Sequence, residues 1–257
     1  MKALIINPNS SQHMSDGVKK ALDAHVDSLN LNVEVTVYTA PKTSPQSIDD
    51  AEDIEESSKA VQADLFPQLS FLQSFGMILI ACFSVHPLVK AVDKYVNKGR
   101  STRIPVTGIF EAAVLEADSA ARRIALPSDD NQRVPRWGIV TTGKFWESHL
   151  THGVAKNLTD SEDQSPSPHF AGVFSTGLNA GDFHNVDPDT VKQRLCKAVD
   201  RLLRVGNVQS IIMGCAGMAG LEDIIRNEAI KIYGDQGKDL HIVDGLKSGL
   251  TLLASEA

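Results

Sequence analysis

Two cysteines are the side chains of this sequence best placed to do chemistry, because each ends a run of apolar, strand-forming residues. Met77-Ile78-Leu79-Ile80-Ala81 stops at Cys82, and Ser210-Ile211-Ile212-Met213-Gly214 stops at Cys215. Short continuous apolar runs of this kind mark strands buried on both faces of a parallel sheet. A single cysteine at such a place is simply a small hydrophobe that packs well; two at matching places point to a shared task. An expected helix start follows each one, with Phe83-Ser84 after Cys82 and Ala216-Gly217-Met218 after Cys215. A helix start offers unpaired N–H groups and the positive end of a dipole, which favour a thiolate. The same N–H groups can hold an oxygen that gains charge as the neighbouring C–H is deprotonated. With a thiolate on one side of a carbon and a thiol on the other, a proton can leave one face and another arrive on the opposite face. The third cysteine, Cys196, has no counterpart and shares a helical pattern with Val191, Leu195, Val199 and Leu202, so it reads as core.

Other candidate groups carry less. His86 stands four residues after Cys82, either as its assistant or as a helix-start residue. His149 and His152 share a helical face without a third ligand nearby in sequence, so no metal site is expected. Glu111 reads as a helix-start acid or a buttress of the site. The chain has no Walker loop, no Gly-x-Gly-x-x-Gly after its first strand and no Gly-x-Ser-x-Gly, and nothing in it calls for a nucleotide, flavin or pyridoxal cofactor.

The elements that must position the thiols form the same series twice. In the first half, strand Lys2–Ile6 ends in Asn7-Pro8-Asn9-Ser10-Ser11 and leads into a helix from Val18 to Leu29. The alternating run 33–38 is a second strand, a helical region over 47–74 must kink or divide at Pro67, and 104–109 closes the half with a strand. The second half opens with strand 137–140 ending in Thr141-Thr142-Gly143, after a polar loop over 127–136. A helix over 145–158, a flexible loop over 160–168 and a strand over 170–174 follow. Asp187-Pro188 then opens an amphipathic helix, as an N-cap followed by proline at the first helical position. Strand 241–245 and a helix over 246–254 complete it. Cys82 lies 75 positions after Asn7, and Cys215 lies 74 after Thr141. Such agreement in order and spacing implies a duplication.

Strands alternating with helices predict an α/β protein of two pseudosymmetric domains, each a parallel sheet wrapped by helices. Ligands of such sheets bind at the carboxyl ends of the strands, where Asn7, Cys82, Thr141 and Cys215 all fall, so the active site is expected in the cleft between the domains.

Composition narrows the class of ligand. With 257 residues, 42% of them hydrophobic, the chain can build large cores, and a net charge of −7 argues against nucleic acid as a partner. No apolar run approaches the roughly 20 residues that span a bilayer, and residues 1–7 lack the features of a secretory signal. Three cysteines without an export signal fit a cytoplasmic protein with reduced thiols. A small-molecule substrate is expected, with no membrane or nucleic-acid partner; a homo-oligomer is compatible with the sequence.

Four segments together resemble the hydantoin and allantoin racemase family of the aspartate/glutamate racemase superfamily. They are Ile6-Asn7-Pro8-Asn9-Ser10-Ser11 with Met14, Ile80-Ala81-Cys82-Phe83-Ser84, Gly108-Ile109-Phe110-Glu111-Ala112-Ala113, and Gly214-Cys215-Ala216-Gly217-Met218. The resemblance implies racemisation of allantoin or 5-substituted hydantoins without a cofactor, with Cys82 and Cys215 as catalytic residues. It also implies a cleft lined by Asn7, Pro8, Asn9, Ser10, Phe83, Ser84, Thr141, Thr142, Ala216 and Gly217. In this fold the closing strand and helix of a half can cross over, which gives a first domain of 1–104 with 243–257 and a second of 105–242. Phe110 stands where a smaller residue is common, the 160–168 loop is longer than usual, and His86-Pro87 replaces a more common Asp-Pro; these bear on substrate size. Ala216-Gly217 stands where amino-acid racemases of the superfamily carry Thr-His, which favours an uncharged ring over a free amino acid. The alternatives are an aspartate/glutamate-type racemase, a lyase or cis-trans isomerase of the superfamily, and a small-molecule binding protein without turnover.

Overall fold

A computed structural model describes residues 1–124, 134–158 and 167–256. The loops expected over 127–136 and 160–168 fall largely outside these residues. The chain divides into two compact units, 1–112 with 246–257, and 113–245.

The first unit is built on β1 (Lys2–Asn7), β2 (Glu34–Thr39), β3 (Met77–Ile80) and β4 (Val106–Gly108), which form one parallel sheet in the order β2-β1-β3-β4. Its two central strands are buried almost throughout, as their unbroken apolar sequences require. Helix α1 (Gln12–Leu29) starts where the Ser11 hydroxyl accepts the Met14 N–H, and stops at Asn30 in the left-handed conformation. Helix α2 (Ala51–Leu65) is capped by Asp50 and gives way to a 3₁₀ turn containing Pro67, followed by the short α3 (Leu69–Leu72). The region expected to be helical over 47–74 is thus divided at the proline, whose missing N–H and fixed φ cannot continue an α-helix. Helix α4 (Pro87–Val96) packs Leu88, Val92 and Val96 into a core with Leu4, Ile6, Val61, Leu65, Ile78 and Ile80.

The second unit repeats the plan. Strands β5 (Arg136–Thr141), β6 (Phe170–Ser175), β7 (Val208–Met213) and β8 (His241–Asp244) form a parallel sheet in the order β6-β5-β7-β8. Each strand occupies the place of its counterpart four positions earlier. Helix α5 (Ile109–Arg123) begins directly after β4, and α6 (Phe145–Leu158) follows β5. After the short α7 (Asp182–Asn185), α8 (Pro188–Leu203) opens where the Asp187 carboxylate accepts the Thr190 N–H. It buries Val191, Leu195, Val199 and Leu202 against Ile211, Met213 and Ile225. The connection from β7 to β8 contains α9 (Glu222–Tyr233), and α10 (Gly245–Glu256) ends the chain's described part.

The closing strands do not cross over. β4 pairs with β3 (Ile80 beside Gly108) and β8 pairs with β7 (Met213 beside Asp244). Ladder hydrogen bonds hold each strand in its own sheet. The division into compact units falls inside α5 and at the start of α10, so that α10 groups with the first unit and most of α5 with the second.

Candidate active site

In the first unit the loops after β1 and β3 lie side by side at the carboxyl edge, joined by the Ala81 N–H donating to the Ile6 carbonyl at 2.8 Å. Asn7, only 2% exposed, is spent on shaping its loop. Its amide donates to Asn9 Oδ1 at 3.0 Å and to Ser15 Oγ at 2.9 Å, while its own Oδ1 accepts the Asn9 N–H at 3.3 Å. Asn9 Oδ1 also accepts the Ser11 N–H, and the Pro8 carbonyl accepts the Ser44 hydroxyl. The Ser10 N–H donates to the Pro45 carbonyl at 2.9 Å. Asn7, Pro8 and Asn9 are buried and act by fixing the loop; Ser10 is half-buried.

Cys82 is half-buried, and its Sγ lies 3.3 Å from the hydroxyl of Ser84, which is 1% exposed. The intervening Phe83 is buried and meets Phe110 edge-on, ring centres 5.5 Å apart. Phe110, conspicuous in the sequence for its size, therefore sets the floor beneath the residue that follows the cysteine. The α-helix does not start at Cys82. The loop turns through Ser84 N–H to Cys82 carbonyl and His86 N–H to Ser84 carbonyl contacts, and α4 begins only at Pro87.

His86 is the cap of that helix. Its Nδ1 accepts the Leu88 N–H at 3.2 Å and its Nε2 lies 3.1 Å from Ser57 Oγ, which in turn donates to the Ile54 carbonyl at 2.9 Å. Since Nδ1 is an acceptor, the proton sits on Nε2 and the ring is neutral. Burial pushes its pKa down to about 3. Both ring nitrogens are committed to α2 and α4, so His86 is a structural histidine and not the assistant of Cys82. Ser57 carried no sequence signal, being a small residue on the inner face of a helix.

At the end of β4, Glu111 turns its carboxyl back over Gly108, so close that a Cβ on Gly108 would collide with it. Its Oε2 is buried and meets no hydrogen-bond partner among the described residues. Burial raises its pKa to about 7, against the opposing pull of its own backbone N–H and the charge of Lys90. A carboxyl poised near neutrality therefore stands in the first turn of α5, just after the strand that pairs with β3, the strand leading to Cys82.

The second unit offers a similar edge. Thr141 is buried and its hydroxyl donates to the Gly214 carbonyl at 3.0 Å, while the Gly214 N–H donates to the Val140 carbonyl at 2.7 Å. The Thr142 carbonyl accepts the Gly177 N–H at 2.9 Å, and Thr142 too is buried. These contacts fix the β5 loop against the residue before Cys215. Gly214 has to be glycine: a Cβ would stand 2.8 Å from both Ile139 Cγ2 and the Val140 carbonyl oxygen. Cys215 is extended and half-buried, and it caps one 3₁₀ turn, Ala216–Met218, with its Sγ 3.3 Å from the Gly217 N–H. Helix α9 begins only at Glu222, so here too the expected α-helix start is displaced from the thiol. In both units the sulfur instead meets a group two residues ahead of it.

Cys196 differs from both. It lies half-exposed on α8, beside the buried stripe, where burial and a hydrogen bond with Glu228 of α9 push its thiol pKa up. His149 stacks on Phe145, and among the described residues no group of three or more His, Cys, Asp or Glu is arranged to hold a metal. No helix among the described residues is long and apolar enough to cross a membrane.

A model of the family described as Asp/Glu/Hydantoin racemase matches residues 4–253, nearly the whole chain and both thiol loops. The chain belongs to that family. It is a racemase, hence an isomerase. The solved allantoin racemase of Klebsiella pneumoniae shares its fold, with a TM-score of 0.73 at 20% identity over 99% of this chain and 86% of that one. A hydantoin racemase of a Pseudomonas species is 24% identical over 97% of this racemase and 83% of its own length. An uncharacterised protein of Schizosaccharomyces pombe is 29% identical, covering 99% of this racemase and 91% of the relative.

Proposed function

We propose that this racemase inverts the ring stereocentre of allantoin or a 5-substituted hydantoin, using Cys82 and Cys215 as two bases and no cofactor. The observation that carries the reading is the equivalence of the two thiols. Each follows the third strand of a four-stranded parallel sheet of identical order, and each sulfur is bonded to the group two residues ahead. In the reaction one thiolate takes the ring proton and becomes a thiol, the electron pair passes into the adjacent carbonyl, and the opposite thiol returns a proton and becomes a thiolate. The substrate's carbonyl already acidifies the proton, so no further electron sink is needed.

Ala216-Gly217 supports a cyclic ureide. Neither residue brings a charge to meet an α-carboxylate, and Gly217 is fitted so closely that a Cβ would stand 2.9 Å from the Ala180 carbonyl oxygen. The similarity to a hydantoin racemase agrees with this choice. The test is polarimetry on a panel of enantiopure allantoin, 5-substituted hydantoins, aspartate and glutamate, with spontaneous racemisation subtracted. A ring substrate should lose rotation fastest. Cys82→Ser and Cys215→Ser should each abolish the catalysed rate, and Cys196→Ser should leave it near normal. Turnover of aspartate or glutamate alone would overturn the substrate assignment, and full activity in either of the first two variants would overturn the two-base mechanism.

A further inference from the structure

No ring nitrogen of His86 is left for Cys82, yet the His86 backbone reaches the thiol loop. The His86 N–H donates to the Ser84 carbonyl at 2.8 Å, and the Ser84 N–H donates to the Cys82 carbonyl at 3.0 Å. Each bond spans only two residues, so together they wind 82–86 into two successive tight turns. The same coil brings the Ser84 hydroxyl to 3.3 Å from Cys82 Sγ.

Two such bonds do not offset the entropy of fixing five residues, so the coil depends on what holds its ends. Near the thiol, Phe83 rests on Phe110. At the far end the anchor is His86. Its carbonyl accepts the Val89 N–H at 3.2 Å, its Nδ1 accepts the Leu88 N–H at 3.2 Å, and its Nε2–H donates to Ser57 Oγ at 3.1 Å. The first two contacts join His86 to its own helix. Of the three, the Ser57 bond alone reaches a different element, α2, which packs against α4. The Ser57 hydroxyl is itself aimed by its bond to the Ile54 carbonyl. Ser57, Ser84 and His86 are all buried, so water has no access to replace a lost bond.

We infer that Ser57 and His86 are positioning residues of the racemase: their bond fixes the 82–86 coil against α2 and thereby sets the place of the Cys82 sulfur for proton transfer. This rests on the two-cysteine reading above and extends it to two side chains that do not touch the substrate. Proton transfer requires donor and acceptor aligned at hydrogen-bond distance, so a small displacement of the sulfur slows the chemical step more than it weakens binding of the ring.

Two variants cut the tie in different ways. Ser57→Ala removes the acceptor and leaves the Nδ1 cap of α4 in place. His86→Asn keeps a cap, because asparagine is a good N-cap residue, but its side chain is too short to reach Ser57. Each should speed amide hydrogen exchange in the peptide spanning 82–88 by about tenfold or more and leave the peptide spanning 215–221 unchanged. Each should lower kcat by about fivefold or more with KM within about twofold of the parent. The double variant should be no slower than the slower single one, because both substitutions remove the same bond. Unchanged exchange over 82–88 in both variants would overturn the anchoring of the coil. Faster exchange with an unaltered kcat would overturn the positioning role and leave a tie that serves stability alone. Losses that multiply in the double variant would show that the two residues act separately. Exchange is read without substrate, so a parent protein that turns over no ring substrate counts against the two-cysteine reading, and the anchoring stands or falls on the exchange result.

Discussion

Replacing Glu111 by Gln should make this racemase less sensitive to alkaline pH, and the size of the effect follows from where the carboxyl sits. The Oε2 atom is buried without a hydrogen-bond partner among the described residues, against Gly108. Burial moves the pKa from 4.5 to about 7. At about 1.4 kcal/mol per pH unit, ionising this group in the folded protein costs about 3 kcal/mol relative to the unfolded chain. The folded state holds the proton more tightly, so the contribution to stability is greatest below pH 4.5 and is lost as pH rises through about 7. Glutamine keeps the shape and removes the charge, while its amide group leaves a buried donor that costs roughly 1 kcal/mol at every pH. Glu111→Gln should therefore melt slightly below the parent at pH 5 and above it at pH 8. The change in the difference between these two pH values should be about 2.5 kcal/mol, or roughly 5–10 °C at 2–4 °C per kcal/mol. Differential scanning fluorimetry in matched buffers at the two pH values measures it. A melting difference that stays constant from pH 5 to 8 would refute the argument, because the carboxyl would then not be titrating across that range.

His86 supplies the opposite slope. Its pKa is pushed down to about 3, so the unfolded chain binds a proton first as pH falls below 6.5, and stability should be lost between there and about 3. In nitrogen-15 spectra the His86 ring should remain the neutral Nε2–H form from pH 5 to 8; a titrating ring would contradict the capping role. His86→Ala removes the cap of α4 and strands Ser57, and should cost about 1–2 kcal/mol in urea unfolding at pH 7.5. Gly214→Ala forces a Cβ to within 2.8 Å of Ile139 Cγ2 and the Val140 carbonyl, the latter held by a 2.7 Å bond. It should lower stability by about 1–3 kcal/mol, and an unchanged melting temperature would show that β5 and β7 can separate locally.

Much of this architecture is legible in the sequence because it depends on local pattern. The apolar runs 77–81 and 210–214 are strands because no other short element buries both faces, and Pro67 divides its helix by its own covalent geometry. The duplication shows in spacing alone. What sequence does not reveal is set by contacts between distant segments. β4 and β8 stay in their own sheets because of ladders with β3 and β7, which no local signal specifies. The residues after each cysteine read as helix starts, yet hydrogen bonds between near neighbours make a loop of one and a 3₁₀ turn of the other. Ser57 and His86 meet across 29 positions of chain. Cys196 falls one position beside the buried stripe of α8, a distinction too fine for periodicity, and finds Glu228 on another helix.

The central claim is that two different sulfur atoms serve the two faces of one carbon. Its most direct test follows an enantiopure ring substrate in deuterium oxide and measures isotope at the stereocentre in product and recovered substrate during the first few per cent of conversion. Two bases predict deuterium in the newly formed enantiomer, while the recovered starting enantiomer stays protiated. Equal labelling of both from the outset, or return of the original hydrogen to the product, would mean that a single group handles the proton.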